Sequence, residues 1–246
     1  MHERVFIVMP AYNAAKTLAR TLAEIPAEYR GNLILTDDCS SDNTVALARS
    51  YGLQVIEHAR NTGYGGNQKT CYRAALDQGA EIVVMLHPDH QYDARIIPEL
   101  VEPLARGEAD AVFGSRMLGH TPMQGGMPRW KYSANVLLTA VANLAFGRYL
   151  TEIHSGFRAY TRRYLETVRF EANSDDFIFD TQIIAQGMIA GLTFRETPIE
   201  TRYFDDASSI NFRRSVVYGL GILNVLGQYT LHRKGWRRYA YLTPRG

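Results

Sequence analysis

The sequence predicts an α/β fold with a mostly parallel central sheet flanked by helices, and three observations predict it. Short apolar or β-branched runs alternate with segments whose apolar residues fall three and four apart. Polar residues concentrate immediately after those runs, and no Pro- or Gly-rich linker, repeat or low-complexity tract interrupts the series. Such alternation reads as βα units, whose helices pack onto a parallel sheet.

Five runs predict the strands: Val5 to Met9, Leu33 to Thr36, Val55 to His58, Ile82 to Leu86 and Ala111 to Gly114. Between them, Thr44 to Tyr51 and Asn67 to Gln78 carry the apolar spacing of helices. From Met127 the pattern changes. Ser133 to Phe146 predicts an apolar helix, Ser155 to Tyr160 a short strand, Asp176 to Ala190 a helix and Leu192 to Thr201 another strand. Asn211 to Leu231 predicts a last, strongly apolar helix. With 246 residues, 46% hydrophobic and 21% charged, the chain is long enough for one sizeable core. Residues 1–210 are expected to form the body of one domain, with 211–246 its amphipathic C-terminal helix and basic tail.

Two cysteines, Cys39 and Cys71, cannot make a disulfide framework and lack C-x-x-C spacing, which fits a reducing, cytoplasmic setting. The five-residue apolar run before Pro10 is too short for a signal-peptide core. A formal charge of +2 gives no footing for nucleic-acid binding, although Arg233, Lys234, Arg237 and Arg238 crowd one short stretch.

Ligands of parallel sheets bind beyond the carboxyl ends of the strands, so the residues after each run are the candidates for function. Asp37 and Asp38 offer acceptor-only carboxylates to a ribose or a base edge, while Asp42 suits the cap of the following helix. Gly63, Gly65 and Gly66 open a helix whose amides could face a phosphate, with Lys69 as a charge partner; a purely steric need for glycine explains them equally. His87, Asp89 and Gln91 alternate on an extended segment and could converge on Mn²⁺ or Mg²⁺. Such a metal would bridge two phosphates and stabilise a nucleoside diphosphate as leaving group. Arg116, Arg129, Lys131, Arg158 and Arg202 are candidates for neutralising phosphate.

Taken in order, PAYN (10–13), DDCSSD (37–42), NTGYGGN (61–67), HPDHQ (87–91), GSR (114–116), SGFRAY (155–160) and TRYFDDASSI (201–210) resemble the family 2 glycosyltransferases of the GT-A fold. Within them the pattern is similar to the dolichyl-phosphate mannose synthase-like group of polyprenyl-phosphate glycosyltransferases. The resemblance implies a Rossmann-like sheet and inverting transfer of a hexose from a UDP-glucose or GDP-mannose type donor, with Mn²⁺ or Mg²⁺, to a polyprenyl phosphate. It implies that Pro10, Tyr12 and Asp38 line the nucleotide pocket and that Asp89 and Gln91 are metal ligands. Arg116, Lys131, Arg202 and Ser209 are then expected near the diphosphate or the acceptor phosphate. Two residues depart from the pattern: Ala14 stands where a Glu is usual, and His87 replaces the first Asp of D-x-D. A nucleotidyltransferase would carry a G-x-G-T-R type loop where PAYNAAK stands, whereas a non-catalytic sugar-nucleotide-binding protein is the alternative that Ala14 and His87 leave open.

A hydroxyl acceptor needs a general base, and Asp180 stands where one is expected; an ionised lipid phosphate needs none, leaving Asp180 to contact sugar or acceptor. The apolar residues between Val216 and Leu226, bordered by Arg213, Arg214, Arg233, Lys234, Trp236, Arg237 and Arg238, suit an interfacial helix on the inner face of a membrane. They fall short of the roughly 20 apolar residues that span a bilayer. Core packing or a homodimer contact explains the same face. Ser133 to Phe146 is a second wall of an acceptor groove, or core.

Overall fold

The computed structural model describes residues 4–119, 123, 126–202 and 212–245. Seven strands form one sheet: β1 (Val5–Ala11), β2 (Leu33–Asp37), β3 (Gln54–Glu57), β4 (Ile82–Met85), β5 (Ala111–Ser115), β6 (Arg158–Thr161) and β7 (Phe194–Pro198). Their order across the sheet is β3-β2-β1-β4-β6-β5-β7. Nine α-helices lie among the described residues: α1 (Leu18–Glu24), α2 (Thr44–Ser50), α3 (Tyr64–Asp77), α4 (Ile97–Ala105), α5 (Arg116–Gly119), α6 (Arg129–Phe146), α7 (Arg162–Thr167), α8 (Phe179–Ile189) and α9 (Phe212–Arg233).

Six strands run parallel and β6 runs against them, pairing Met85 with Arg158 and Phe113 with Arg158. The reason lies in the return from α6. Thr151 Oγ1 meets Ser115 Oγ at 2.6 Å, and Glu152 accepts the Arg116 amide at 2.8 Å, so the chain re-enters the sheet at the carboxyl end of β5. A strand that starts there can only run backwards. This reversal brings Ile153–Phe157 to the same edge as the loops after β1, β2 and β4, where ligands of such sheets bind. The expected strand from Ser155 shortens to Arg158–Thr161, because the Arg158 guanidinium folds back onto the carbonyls of Ser155 (2.6 Å) and Ile153 (2.9 Å).

Side chains alternate across each strand. Phe6 and Val8 of β1 join a core with α3, α8 and α9, whereas Val5, Ile7 and Met9 face α1 and α4. The C-terminal helix is split between two environments. Ile222, Val225, Leu226 and Tyr229 of α9 are buried, while Val216, Val217, Leu220 and Leu223 stay exposed. Helix α6 divides likewise: Ala142 and Phe146 are buried, and Leu137 and Leu144 are exposed, the latter by 85%. The single apolar stripe expected for 216–226 is therefore a core face and an outward face. Among the described residues no helix is long and apolar enough to cross a membrane.

Candidate active site

Three non-glycine residues among those described have positive φ: Asn13 (53°), Cys39 (67°) and His90 (58°), one in each of the loops after β1, β2 and β4. Left-handed backbone at such residues persists only where tertiary contacts impose it, and it gathers at functional sites. Here the contacts are visible. The Asn13 amide donates to Ser40 Oγ (2.8 Å), Asn13 Oδ1 accepts from the Ser41 amide (2.9 Å), and the Ala14 amide donates to Thr44 Oγ1 (2.8 Å). Asp42 joins the two loops by accepting from the amides of Ala15 and Thr44, both at 3.0 Å, the second at the start of α2 as a capping residue would. Over this platform Pro10 is half-buried and Tyr12 is 58% exposed.

Asp37 and Asp38, expected to offer carboxylates to the nucleotide, are buried and bonded within the protein. Asp37 accepts from the amide and hydroxyl of Ser40. Asp38 Oδ1 accepts from the Thr62 amide and hydroxyl, both at 2.7 Å, and Oδ2 from the Gly63 amide at 3.0 Å; His58 Nδ1 lies 2.8 Å from Oδ1. Burial pushes the Asp38 pKa up, but the bonds from His58, Thr62 and Gly63 outweigh it and leave the carboxyl below its ordinary value. Asp38 therefore shapes the turn into α3, with three of its four bonds on Oδ1 and one, from the Gly63 amide, on Oδ2.

The glycines and Lys69 also find partners in the protein. The amides of Gly65 and Gly66 donate to the Asp175 carbonyl, at 2.7 and 3.3 Å, where a phosphate was a candidate. A Cβ on Gly65 would lie 2.3 Å from the Ser174 carbonyl oxygen and 2.8 Å from Phe179 Cβ, so the steric reading of the glycine pattern holds there. Lys69 Nζ bonds the Asn173 carbonyl and Asp175 Oδ1 (2.6 Å), clamping the 173–175 segment rather than reaching toward the strand ends.

At the centre of the edge stands Asp180, in the first turn of α8 and only 6% exposed. The Tyr64 hydroxyl donates to its Oδ2 at 2.9 Å, Gln68 Nε2 to its Oδ1 at 3.2 Å, and Arg158 Nη1 lies 3.4 Å from Oδ1. Tyr64 and Gln68 sit four apart on one face of α3, a spacing legible in sequence. Neither was a candidate, because their role depends on α8 packing beside them. The Tyr64 hydroxyl also lies 3.4 Å from His87 Nε2, with the two rings stacked at 5.5 Å. Burial lowers the His87 pKa, against the opposing pull of Asp89 and Asp180, so the ring is held neutral. Asp89 follows in the half-buried HPDHQ loop, its Oδ1 accepting from the Gln91 amide at 3.0 Å, and the Pro88 carbonyl accepts from Thr17 Oγ1 at 2.6 Å.

The candidate phosphate-binding cations divide. Arg116 is buried and forked onto Glu152, which accepts from its Nε at 2.8 Å and from its Nη2, so its charge is matched within the protein. Glu152 is the one acidic residue between positions 129 and 165, a signal that would have marked it as a counter-charge. Lys131 is half-buried close by, and burial, then the Arg116 charge, lowers its pKa. Arg129 is exposed at the start of α6. Arg202 is drawn to Glu24 (Nη1 to Oε2, 3.0 Å) and lies 3.7 Å from Asp93, while its amide donates to the Gln91 carbonyl (2.9 Å); it braces the HPDHQ loop from outside. Ser209 lies outside the described residues.

Residues 6–169, about two thirds of the chain, match the family described as glycosyl transferase family 2. The chain belongs to that family. This glycosyltransferase, which uses a nucleotide-sugar donor, is 28% identical over 221 residues to an uncharacterized protein of Methanocaldococcus jannaschii, covering 90% of each chain. It is 24% identical over 216 residues to UDP-N-acetylglucosamine–dolichyl-phosphate N-acetylglucosaminyltransferase of Methanococcus voltae, covering 81% of this chain and 86% of that one. In fold it is similar to glucosyl-3-phosphoglycerate synthase from Mycobacterium tuberculosis, solved with Mn²⁺, UDP and glucosyl-3-phosphoglycerate: TM-score 0.68, 18% identity, 94% of this chain and 80% of that one. The same enzyme has been solved with Mg²⁺ and UDP (TM-score 0.66, 19% identity). The GT-A architecture expected from the sequence is thus the one observed.

The divalent metal of such folds has to fit the groups this glycosyltransferase presents. Among the described residues no three His, Cys, Asp or Glu side chains converge as a metal cage. Mg²⁺ sites commonly use one or two carboxylates and complete their shell with water and substrate phosphates, and Asp89 suits that mode. His87 turns Nε2 toward Tyr64 and packs Cδ2 and Nε2 against Gly156, where a Cβ would lie 2.8 Å from both atoms. Its place in the motif thus serves the Tyr64–Asp180 cluster.

Proposed function

We propose that the protein transfers a hexose with inversion from a UDP-linked donor to a polyprenyl phosphate, working peripherally at a membrane surface. The state of Asp180 carries this reading. A general base for a hydroxyl acceptor needs a free, accessible lone pair within reach of the proton it removes. The Asp180 carboxylate is nearly buried and engaged by Tyr64, Gln68 and the Arg158 charge. A phosphate monoester is already ionised at neutral pH and requires no base, its second pKa being about 6. The dolichyl-phosphate acceptor named for the Methanococcus voltae relative supports the same class.

In this reading Tyr12 and Pro10 receive the base, and Asp89, with Gln91 beside it, holds Mn²⁺ or Mg²⁺ against the donor diphosphate. Lys131, near the neutralised Arg116–Glu152 pair, and Arg129 at the start of the same helix meet the acceptor phosphate. Membrane association is supported by the exposed apolar faces of α6 and α9 and by charge. Residues 207–246 hold seven Lys and Arg and no Asp or Glu, a composition suited to anionic headgroups. The test is a screen of UDP- and GDP-sugars against undecaprenyl phosphate and against hydroxyl acceptors, in detergent with Mn²⁺, with products identified by mass. Transfer to the lipid phosphate is expected. Transfer to hydroxyl acceptors alone would overturn the reading and return Asp180 to the role of base.

A further inference from the structure

A groove of about 610 Å³ runs between residues 174–182 and α9, with Phe177, Ile178, Val217, Tyr218, Gly221 and Val225 as its apolar walls and polar residues, Asp176 and Arg214 among them, completing its lining. Its volume falls in the range of about 300–1,000 Å³ typical of clefts that enclose a small ligand. Two features set its position. At one side Phe177 packs on the Tyr64 ring at 4.7 Å, and Tyr64 holds Asp180, so the groove wall is one ring removed from the centre of the site. At the other side Val217 is 64% exposed and continues into the outward apolar face of α9 formed by Val216, Leu220 and Leu223. The groove therefore lies between the apolar outer surface and the Tyr64–Asp180 cluster, with the Phe177 ring as its inner wall. Gly221 helps keep it open: a Cβ there would lie 2.9 Å from Ile178 Cδ1.

We propose that this groove holds the first isoprenoid units of the acceptor, the part of the chain next to its phosphate. The assignment rests on the polyprenyl-phosphate reading above and adds the place where chain length is sensed. A branched hydrocarbon gains by leaving water for such walls, and it is already in apolar surroundings when it enters from a membrane-facing side. The groove also explains why Phe177 and Ile178 present apolar side chains directly before Asp180, and why α9 carries apolar residues on two faces.

The test compares wild type with Val217→Trp, which fills the outer mouth from an exposed position that the fold does not need, and with Gly221→Val, which narrows the middle. Farnesyl phosphate binding is measured by calorimetry, and kcat and KM are measured for acceptors of increasing prenyl length and for the donor. Expected is a loss of about tenfold or more in binding and in kcat/KM for prenyl phosphates, the scale of displacing a few buried methylenes. Donor KM and the melting temperature of Val217→Trp should be unchanged. If wild type uses undecaprenyl phosphate and Val217→Trp binds and uses it equally well, the groove assignment is wrong and the proposed function stands. If wild type uses only hydroxyl acceptors, both fall. A groove filled by a second copy of the chain would appear as a dimer that Val217→Trp dissociates with no change in farnesyl phosphate affinity, and would also overturn the assignment.

Discussion

Replacing Asp180 with Asn separates the two roles this residue could have. The substitution keeps shape and removes charge, leaving Arg158 at 2% exposure without its carboxylate. Arg158 Nη1 has no hydrogen-bond partner of good geometry, so the Asp180 charge at 3.4 Å is its main compensation. Removing one member of a buried ion pair costs about 3–5 kcal/mol. The remaining contacts of Arg158, to two carbonyls and over the Phe113 ring at 5.1 Å, place the expectation at the lower end, about 3 kcal/mol. For a chain of this size that lowers Tm by about 6–12 °C. Tyr64 and Gln68 would lose half of their acceptor as well.

The assay is urea unfolding of wild type, Asp180→Asn, Arg158→Met and the double variant, with kcat measured alongside. A coupling of about 1–3 kcal/mol between the two positions is expected, the range found for groups in one network. A general base, in contrast, would lose about 10²–10⁴-fold in kcat with stability nearly intact. A variant of wild-type stability and zero coupling would refute the assignment of Asp180 as the counter-charge that organises the centre.

Gly65→Ala forces a methyl group against the Ser174 carbonyl and Phe179, backbone and core that cannot yield cheaply, so a loss of about 1–3 kcal/mol is expected in thermal or urea unfolding. His154 is half-buried near Arg116 and Arg158, and the desolvation of its ring, reinforced by those charges, depresses its pKa to about 3. The unfolded imidazole titrates near about 6.5, so stability is at its full value above that pH and falls by up to about 1.4 kcal/mol per unit as the pH drops toward 3. His154→Gln should flatten that slope in unfolding curves taken from pH 7 to 5. Asp89→Ala should reduce kcat/KM by roughly a hundredfold or more, the scale of losing a metal that stabilises the leaving diphosphate. Activity against Mn²⁺ concentration then distinguishes lost metal affinity, which high metal rescues, from a role outside the metal site, which it does not.

Much of this architecture was legible because it follows from local rules. The strand runs are short, apolar and followed by helix-spaced residues, so β1 to β5 lie within a residue or two of where the periodicity puts them. The antiparallel direction of β6 was not legible. It arises because Thr151 and Glu152 anchor to Ser115 and Arg116, contacts across more than thirty residues that no local pattern encodes. The candidate site shows the same division. Position at a strand end picked out Asp37, Asp38, His87, Asp89 and Arg116, but it carries no information about which charges meet a ligand and which meet each other.

By itself, then, the sequence determined the βα series, the edge of the sheet where the chemistry gathers, and the acid-free, basic C-terminal stretch, since each depends on residue type and spacing alone. Only the tertiary structure decided that Asp38 closes onto Thr62 and Gly63, that Glu152 neutralises Arg116, that Lys69 clamps Asp175, and that Asp180 is held by Tyr64, Gln68 and Arg158. The physical reason is common to all four. A charge leaving water takes whichever partner the fold sets within a few ångströms, and that partner comes from a distant part of the chain.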